Sequence, residues 1–418
     1  MTFLEQYDAI DASQPAQKMA LFFKYVRGEP DTLFSELRAN RPIFVTPAAT
    51  MVTRFADVQE VLSRAKIFSV RLYAPKMDPS VGPFMLARDE TEINRRDKSI
   101  MMAMLRMDDL PRIQKAVEDL AEAAIANCKG RIELISQLSR LVPVQLTGKY
   151  FGFPGPDVAT MMRWSRATQY DMFHNMPQND PQIHADNIQA GTEMKAYLGQ
   201  LLPQRRAELK KNPSLDDTLC RLLKSVLPDV IGFNDERIIA NTIGLLVGGV
   251  ETTSAAIALA LDELLQRPEQ LTTARTAAAS VNDALLAAHV WEALRFHPIN
   301  PFVVRFCEQD FIVADGTPRK ATIRAGTVVL ASTASGMMDD DELDAPEEFR
   351  LDRPYYHYMH FGYGAHTCLG DQVSMVQTPT IIKRLLLRKK LRRAPDPDGQ
   401  VDFQGGPFPE RVVLQFDA

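Results

Sequence analysis

From about residue 30 the apolar and polar positions alternate in blocks that change period along the chain. PDTLFSELRANR reads as a helix, PIFVTPAATMVTRF as short strands and ADVQEVLSRA as a second helix. FSVRLYAPKMDPSVGPFML then comes with neither period, a long irregular stretch. Between residues 89 and 300 helical spacing dominates, in DLPRIQKAVEDLAEAAIANC, in QAGTEMKAYLGQLLPQRRAELKK and from Asn234 to Gln266. Strand signals return in FVVRFCEQDFIVADGTPRKATIRAGTVVLASTAS and in PERVVLQF near the C-terminus. The pattern predicts a mainly α protein of the α+β class with small β-sheets. The longest Pro/Asn-rich break, HNMPQNDPQ at 174–182, reads as a loop between helices rather than a linker, so residues 1–418 are expected to form a single domain.

Composition narrows the function classes. The 418 residues are 45% hydrophobic and 24% charged, ordinary values for a globular protein with a large core. A net charge of -5 gives no support for nucleic-acid binding. The N-terminus has no basic region followed by an apolar one, and no run approaches the roughly 20 apolar residues of a membrane span, so a cytoplasmic protein with no membrane partner is expected. Cys128, Cys220, Cys307 and Cys368 are too scattered for a disulfide framework or a zinc site.

Three stretches carry chemistry. In FGYGAHTCLG, residues 361–370, Gly362, Gly364 and Gly370 surround Cys368, a density that suggests backbone folded against something flat or bulky. DQVSMVQTPTIIKRLLL comes next as a helix, which sets the sulfur near a helix N-terminus where a thiolate is favoured: a nucleophile, a redox thiol or a metal ligand. In LLVGGVETTSAA, residues 245–256, Gly248 and Gly249 sit inside a helix at a cost of roughly 1 kcal/mol each. The Thr252 hydroxyl can bond the carbonyl of Gly248 and widen the helix, leaving a groove with an acid, Glu251, next door; a glycine pair for packing with a solvated glutamate explains the stretch equally well. In WEALRFHP, Glu292 and Arg295 stand three apart, and Arg353 in APEEFRLDRP is a second partner for Glu292.

In this order, GGVETT, ExxR, PEEF with DR and FGxGxHxCxG resemble the cytochrome P-450 family of heme-thiolate monooxygenases, soluble bacterial type, over essentially the whole chain. The resemblance implies heme b (iron protoporphyrin IX) with Cys368 as axial thiolate, Phe361 beside the sulfur, and His366, Arg305 and Lys98 as propionate contacts. Lys98 comes from ETEINRRDKSIMM, where Asn94 and Lys98 replace the usual His and Arg. Glu251 and Thr252 match the acid and alcohol that deliver protons to dioxygen, Gly248 and Gly249 the groove where oxygen fits, and Glu292, Arg295 and Arg353 a buried structural ion network.

The same resemblance implies a small hydrophobic substrate in a pocket lined by Tyr73, Met85, Leu245, Val247, Phe302, Val303 and Phe408. Electrons would come from NAD(P)H through a separate ferredoxin or flavodoxin, and the protein would be a monomer. The basic tract KRLLLRKKLRR, 383–393, is either a docking site for an acidic ferredoxin or a solvated helix end. A hydrogen-peroxide-driven peroxygenase and a non-catalytic heme sensor are the alternatives; an intact acid and alcohol argue against both.

Overall fold

A computed structural model describes residues 1–89, 92–175 and 179–417. The middle of the break at 174–182 and the first two residues of ETEINRRDKSIMM lie outside the described residues. The architecture is mostly helical, with small sheets, and divides into two compact units.

The first unit comprises Met1–Leu72, Arg88 and Asp89, and Pro298–Cys368. Its centre is a five-stranded sheet ordered Ile43–Val45, Ala49–Val52, Val328–Ala331, Val303–Cys307, Phe68–Ser69. All neighbours are antiparallel except Ala49–Val52 with Val328–Ala331, which run parallel from Ala49 opposite Val328 to Val52 opposite Ala331. One face buries Phe55, Val58, Val61 and Leu62 of the helix Phe55–Ser63 with Phe68, Val329 and Met359. Another core forms around Phe3, Phe22, Leu33 and Phe44, where two helices not read from the sequence, Phe3–Ala9 and Pro15–Gly28, pack with the expected Pro30–Asn40. Thr2 caps the first of these with a reciprocal bond to Glu5, which settles an end that a short helix otherwise frays from.

The second unit holds Tyr73–Ala87, 92–297 and 369–417. Leu110–Ala126 matches the expected helix; its buried Ile113, Val117, Leu120, Ala121 and Ala124 make one stripe against Asp371–Leu386. Pro181–Lys211 starts at Asp180, whose carboxylate accepts from the Gln182 and Ile183 N–H groups, and packs on Val158–His174. The stretch read as irregular contains the short helix Ala74–Met77 and a turn at Met85–Ala87, fixed by close backbone approach: a Cβ on Gly191 would lie 2.3 Å from the Ser80 carbonyl oxygen, and one on Gly244 2.2 Å from the Phe84 ring. Asp235–Gln266 is apolar and long enough to cross a membrane, but 83% of its apolar window is buried inside the protein, as befits a core helix.

Candidate active site

The cysteine loop belongs to the first unit. The Cys368 N–H donates to the Phe361 carbonyl at 2.9 Å, Gly362 N–H to Met359 at 3.0 Å and Thr367 N–H to Gly364 at 3.1 Å, so the loop closes on itself. Gly362 and Gly364 have φ of 72° and 74°, the left-handed region that side chains disfavour. At Gly364 there is no room either: a Cβ would stand 2.5 Å from the Leu62 carbonyl oxygen at the end of Phe55–Ser63. Cys368 is exposed at the loop's end, three residues before Asp371–Leu386.

The His366 Nε2 lies 2.9 Å from Asp89 Oδ1, with side chains 5% and 18% exposed, and Asp89 Oδ2 accepts the Val70 N–H at 2.9 Å. Sequence reasoning passed over Asp89, which carries no motif. Arg305 projects from Val303–Cys307, is buried, and donates to the Val304 carbonyl at 2.9 Å. Phe361 is half-buried. Of the two expected pocket residues here, Phe302 packs on the N-terminal helical core and Val303 on the core beneath the sheet. Arg353 donates to the carbonyls of Asp344, Ala345 and Glu348 at 2.9, 2.6 and 3.1 Å.

The GGVETT stretch belongs to the second unit, and there the helix breaks. It runs Asp235–Gly249, bends at Val250, and resumes as Glu251–Gln266. The Thr252 hydroxyl donates to the Gly248 carbonyl at 2.5 Å, the bond that the spacing allows. Gly248 is exposed although its helix is buried, and a Cβ built there meets nothing within 4 Å. The helix surface is thus open at Gly248, and Thr252 stands half-buried beside it.

Glu251 is not a solvated surface acid. It is 1% exposed, and each carboxylate oxygen accepts from one guanidinium: Oε1 from Arg140 Nε and Nη2 at 3.1 and 2.8 Å, Oε2 from Arg166 Nε and Nη2 at 2.9 and 2.6 Å. Local structure explains the first partner. Ile135–Ser139 is a π-helical turn, whose extra residue rotates the chain beyond it, and it delivers Ser139 within 2.8 Å of the Ser254 hydroxyl and Arg140 to Glu251. A second π-helical turn, Thr147–Phe151, sets the Phe151 ring 3.7 Å from where a Gly249 Cβ would be. Arg166 comes from Val158–His174, forms a second ion pair with Glu410, and lies 4.8 Å over the Phe408 ring. Phe408 is buried and meets His174 edge-on at 4.6 Å; burial, then the neighbouring Arg166, holds the His174 pKa down from its ordinary 6.5 to about 4.

The remaining expected residues of this unit are in defined places. Leu245, Val247, Tyr73 and Met85 are buried, Tyr73 with its ring 5.4 Å from Phe173. Lys98 is half-buried on Glu92–Met104. Asn94 is committed elsewhere, its amide donating to the Met85 carbonyl at 2.9 Å, while Asp97 is fully buried between Arg237 and Asn241. Glu292 and Arg295 are completely buried and bonded at 2.7 and 3.0 Å. The basic tract is largely consumed internally: Lys383 pairs with Asp283, Arg384 and Arg388 with Glu122, and Arg393 with Asp262. Burial pushes the thiols of Cys128, Cys220 and Cys307 up, which suits packing residues rather than reactive ones.

Within the first unit, an exposed thiol on a glycine-bent loop and the buried Arg305 fit a flat, anionic iron macrocycle; the second unit, taken by itself, has a buried helix interrupted beside the Thr252 hydroxyl. These are the features of a heme-thiolate oxidoreductase. The cytochrome P450 family model matches residues 12–403, and the chain belongs to that family. As such it is an oxidoreductase that incorporates oxygen, and the family's cofactor is heme iron.

Among its relatives, nocardicin C N-oxygenase of Nocardia uniformis subsp. tsuyamanensis is 28% identical over 91% of this chain and 95% of its own length. Mycinamicin IV hydroxylase/epoxidase of Micromonospora griseorubida is 28% identical over 89% and 91%. The crystal structure of CalO2 superposes with a TM-score of 0.79 at 20% identity, covering 97% of both chains, a likeness of fold.

Proposed function

We propose that this chain is a heme b monooxygenase that places one atom of dioxygen into a small hydrophobic substrate, with electrons from NAD(P)H through a separate ferredoxin or flavodoxin. The observation that carries the reading is the closed cysteine loop: two left-handed glycines and the Cys368 N–H to Phe361 bond hold a single exposed thiol at its end. Cys368 would hold the iron as a thiolate, and Arg305, His366 and Lys98 would hold the propionates. When bound, the heme supplies the activation of dioxygen.

The chain's own side chains do the rest. The Thr252 hydroxyl donates its hydrogen bond to the Gly248 carbonyl, so its lone pairs can accept a hydrogen bond from a water there. Glu251 feeds protons to that water. The buried apolar side chains of Tyr73, Met85, Leu245, Val247 and Phe408 support a hydrophobic substrate, as does the name of one relative, a steroid C26-monooxygenase. A cytoplasmic monomer is the matching setting.

Carbon monoxide tests the ligand. The reduced protein is expected to show the strongly red-shifted Soret band of thiolate-bound heme, and Cys368→Ser to lose it; an unchanged band in that variant rejects the assignment. Thr252→Ala is expected to keep binding ligands and taking electrons while releasing hydrogen peroxide in place of product, and an unchanged ratio of product to NAD(P)H consumed rejects the proton role.

A further inference from the structure

Resting on the reading of Glu251 as the proton donor, a further role emerges from how its carboxylate is held. Both oxygens already accept two N–H groups each, so neither can exchange a proton with water until a guanidinium leaves. The two arginines are not equivalent. Arg140 has as its other bond the Met162 carbonyl, a neutral group, at 2.8 Å. Arg166 is already ion-paired with a second carboxylate, Glu410, through its Nη1.

We propose that Glu410 is a positioning residue that draws Arg166 off Glu251 and so opens the Glu251 Oε2 to water. Charge balance favours this route. Before the move two carboxylates face two guanidiniums; after it, Glu251 keeps Arg140 and Glu410 keeps Arg166, and no buried ion is left without a counter-charge. Were Glu410 absent, the departing Arg166, only 19% exposed, would be stranded. Glu410 is itself 26% exposed, which lets water reach the exchange. Its backbone is fixed, the Glu410 N–H donating to the Asp402 carbonyl at 2.8 Å, and the Phe408 ring gives the guanidinium a flat face to slide on at 4.8 Å. His174 and Tyr170, the other titratable side chains against Phe408, lie 4.6 and 6.4 Å from its ring, and neither replaces the carboxylate. The move itself changes no covalent bond: a water takes the place of Arg166 at Oε2. A hydronium from solvent then gives up one O–H bond as Oε2 gains one, leaving water, and the carboxylic acid passes that proton to the water at Thr252 and is a carboxylate again.

The heme-loaded protein tests this in two ways. In nitrogen-15 relaxation dispersion the Arg166 Nε–H is expected to show millisecond exchange that Arg140 does not, and Glu410→Gln is expected to quench it. Exchange at Arg166 that survives Glu410→Gln, or none in the parent protein, overturns the proposal. With NAD(P)H, a surrogate [2Fe–2S] ferredoxin and its reductase, Glu410→Gln is expected to slow oxygen consumption about 10-fold with a larger solvent isotope effect, while the carbon monoxide spectrum stays intact and Glu410→Asp restores the rate. If Glu251→Gln is slow and Glu410→Gln runs at the parent rate, the Glu410 assignment alone is wrong. If Glu251→Gln also runs at the parent rate, the proton-donor reading beneath it fails as well.

Discussion

The cysteine loop closes with hydrogen bonds between residues no further apart than Phe361 and Cys368, whereas at the bend of the long helix the bonds that fix Glu251 reach 111 residues back to Arg140 and 85 back to Arg166. The loop's shape is written into its own glycines. The bend's groove is local too, through Thr252 and Gly248, but its electrostatics are borrowed from distant elements. Local wiring makes a motif readable; distant wiring makes a site adjustable.

Substitutions can break or sharpen that contrast. The largest effect is expected at Glu292, where the partner is only three residues away yet fully buried: Glu292→Ala removes the buried carboxylate bonded to Arg295 and should cost roughly 3 to 5 kcal/mol, read by denaturant unfolding. An effect under 1 kcal/mol would place this pair with ordinary surface bridges. Next is Gly364→Ala, which combines a left-handed φ with a 2.5 Å approach to the Leu62 carbonyl and should cost about 2 to 4 kcal/mol. Neutral behaviour there would show that the loop's geometry is not set by its glycines.

The borrowed side carries a pH dependence instead. His174 stays neutral in the fold down to about 4, while in the unfolded chain it takes a proton near 6.5. Between those values the unfolded state binds more protons, so the stability from a neutral His174 is whole above 6.5 and falls as pH drops, by roughly 3 kcal/mol at most. His174→Phe should flatten that part of the acid limb in pH-dependent unfolding; an unchanged limb would assign it to other groups. The smallest effect is expected at Gly248. Because a Cβ there meets nothing, Gly248→Ala should stabilise the heme-free protein by about 1 kcal/mol, while Gly244→Ala, against Phe84, should destabilise it. Equal melting temperatures for the two variants would contradict the open groove.

Legibility in the sequence divides along the same contrast. The long helix and its Thr252 to Gly248 bond could be read because each rests on spacing within one stretch, and the fold class because each element carries its own period. The burial of Glu292 and Arg295 was less plain from an i,i+3 pair, although the neighbouring Val290, Trp291, Ala293 and Leu294 are buried around the helix. Arg140, Arg166 and Glu410 left no trace, since a charge pair across 85 residues or more imposes no periodicity. Nor did the π-helical turn Ile135–Ser139 that aims Arg140. The basic tract is divided: Lys383, Arg384, Arg388 and Arg393 find acids on neighbouring helices of the same unit, while Lys389, Lys390 and Arg392 face outward.

The parallel pairing of Ala49–Val52 with Val328–Ala331 has a consequence for biosynthesis. A ribosome adding about 5 to 20 residues per second needs roughly 10 to 45 seconds to go from residue 72 to residue 298, and for that interval the first unit exists only as its N-terminal half. Ala49–Val52, buried at every position in the finished protein, waits meanwhile with one edge unpaired, the kind of strand that recruits other chains. The intervening 92–297 emerges without interruption and can begin to fold first. Cys368, the last residue of the first unit, is made only after both halves of the sheet, so a heme held by that thiol, as proposed above, would be captured after the sheet's second half has emerged.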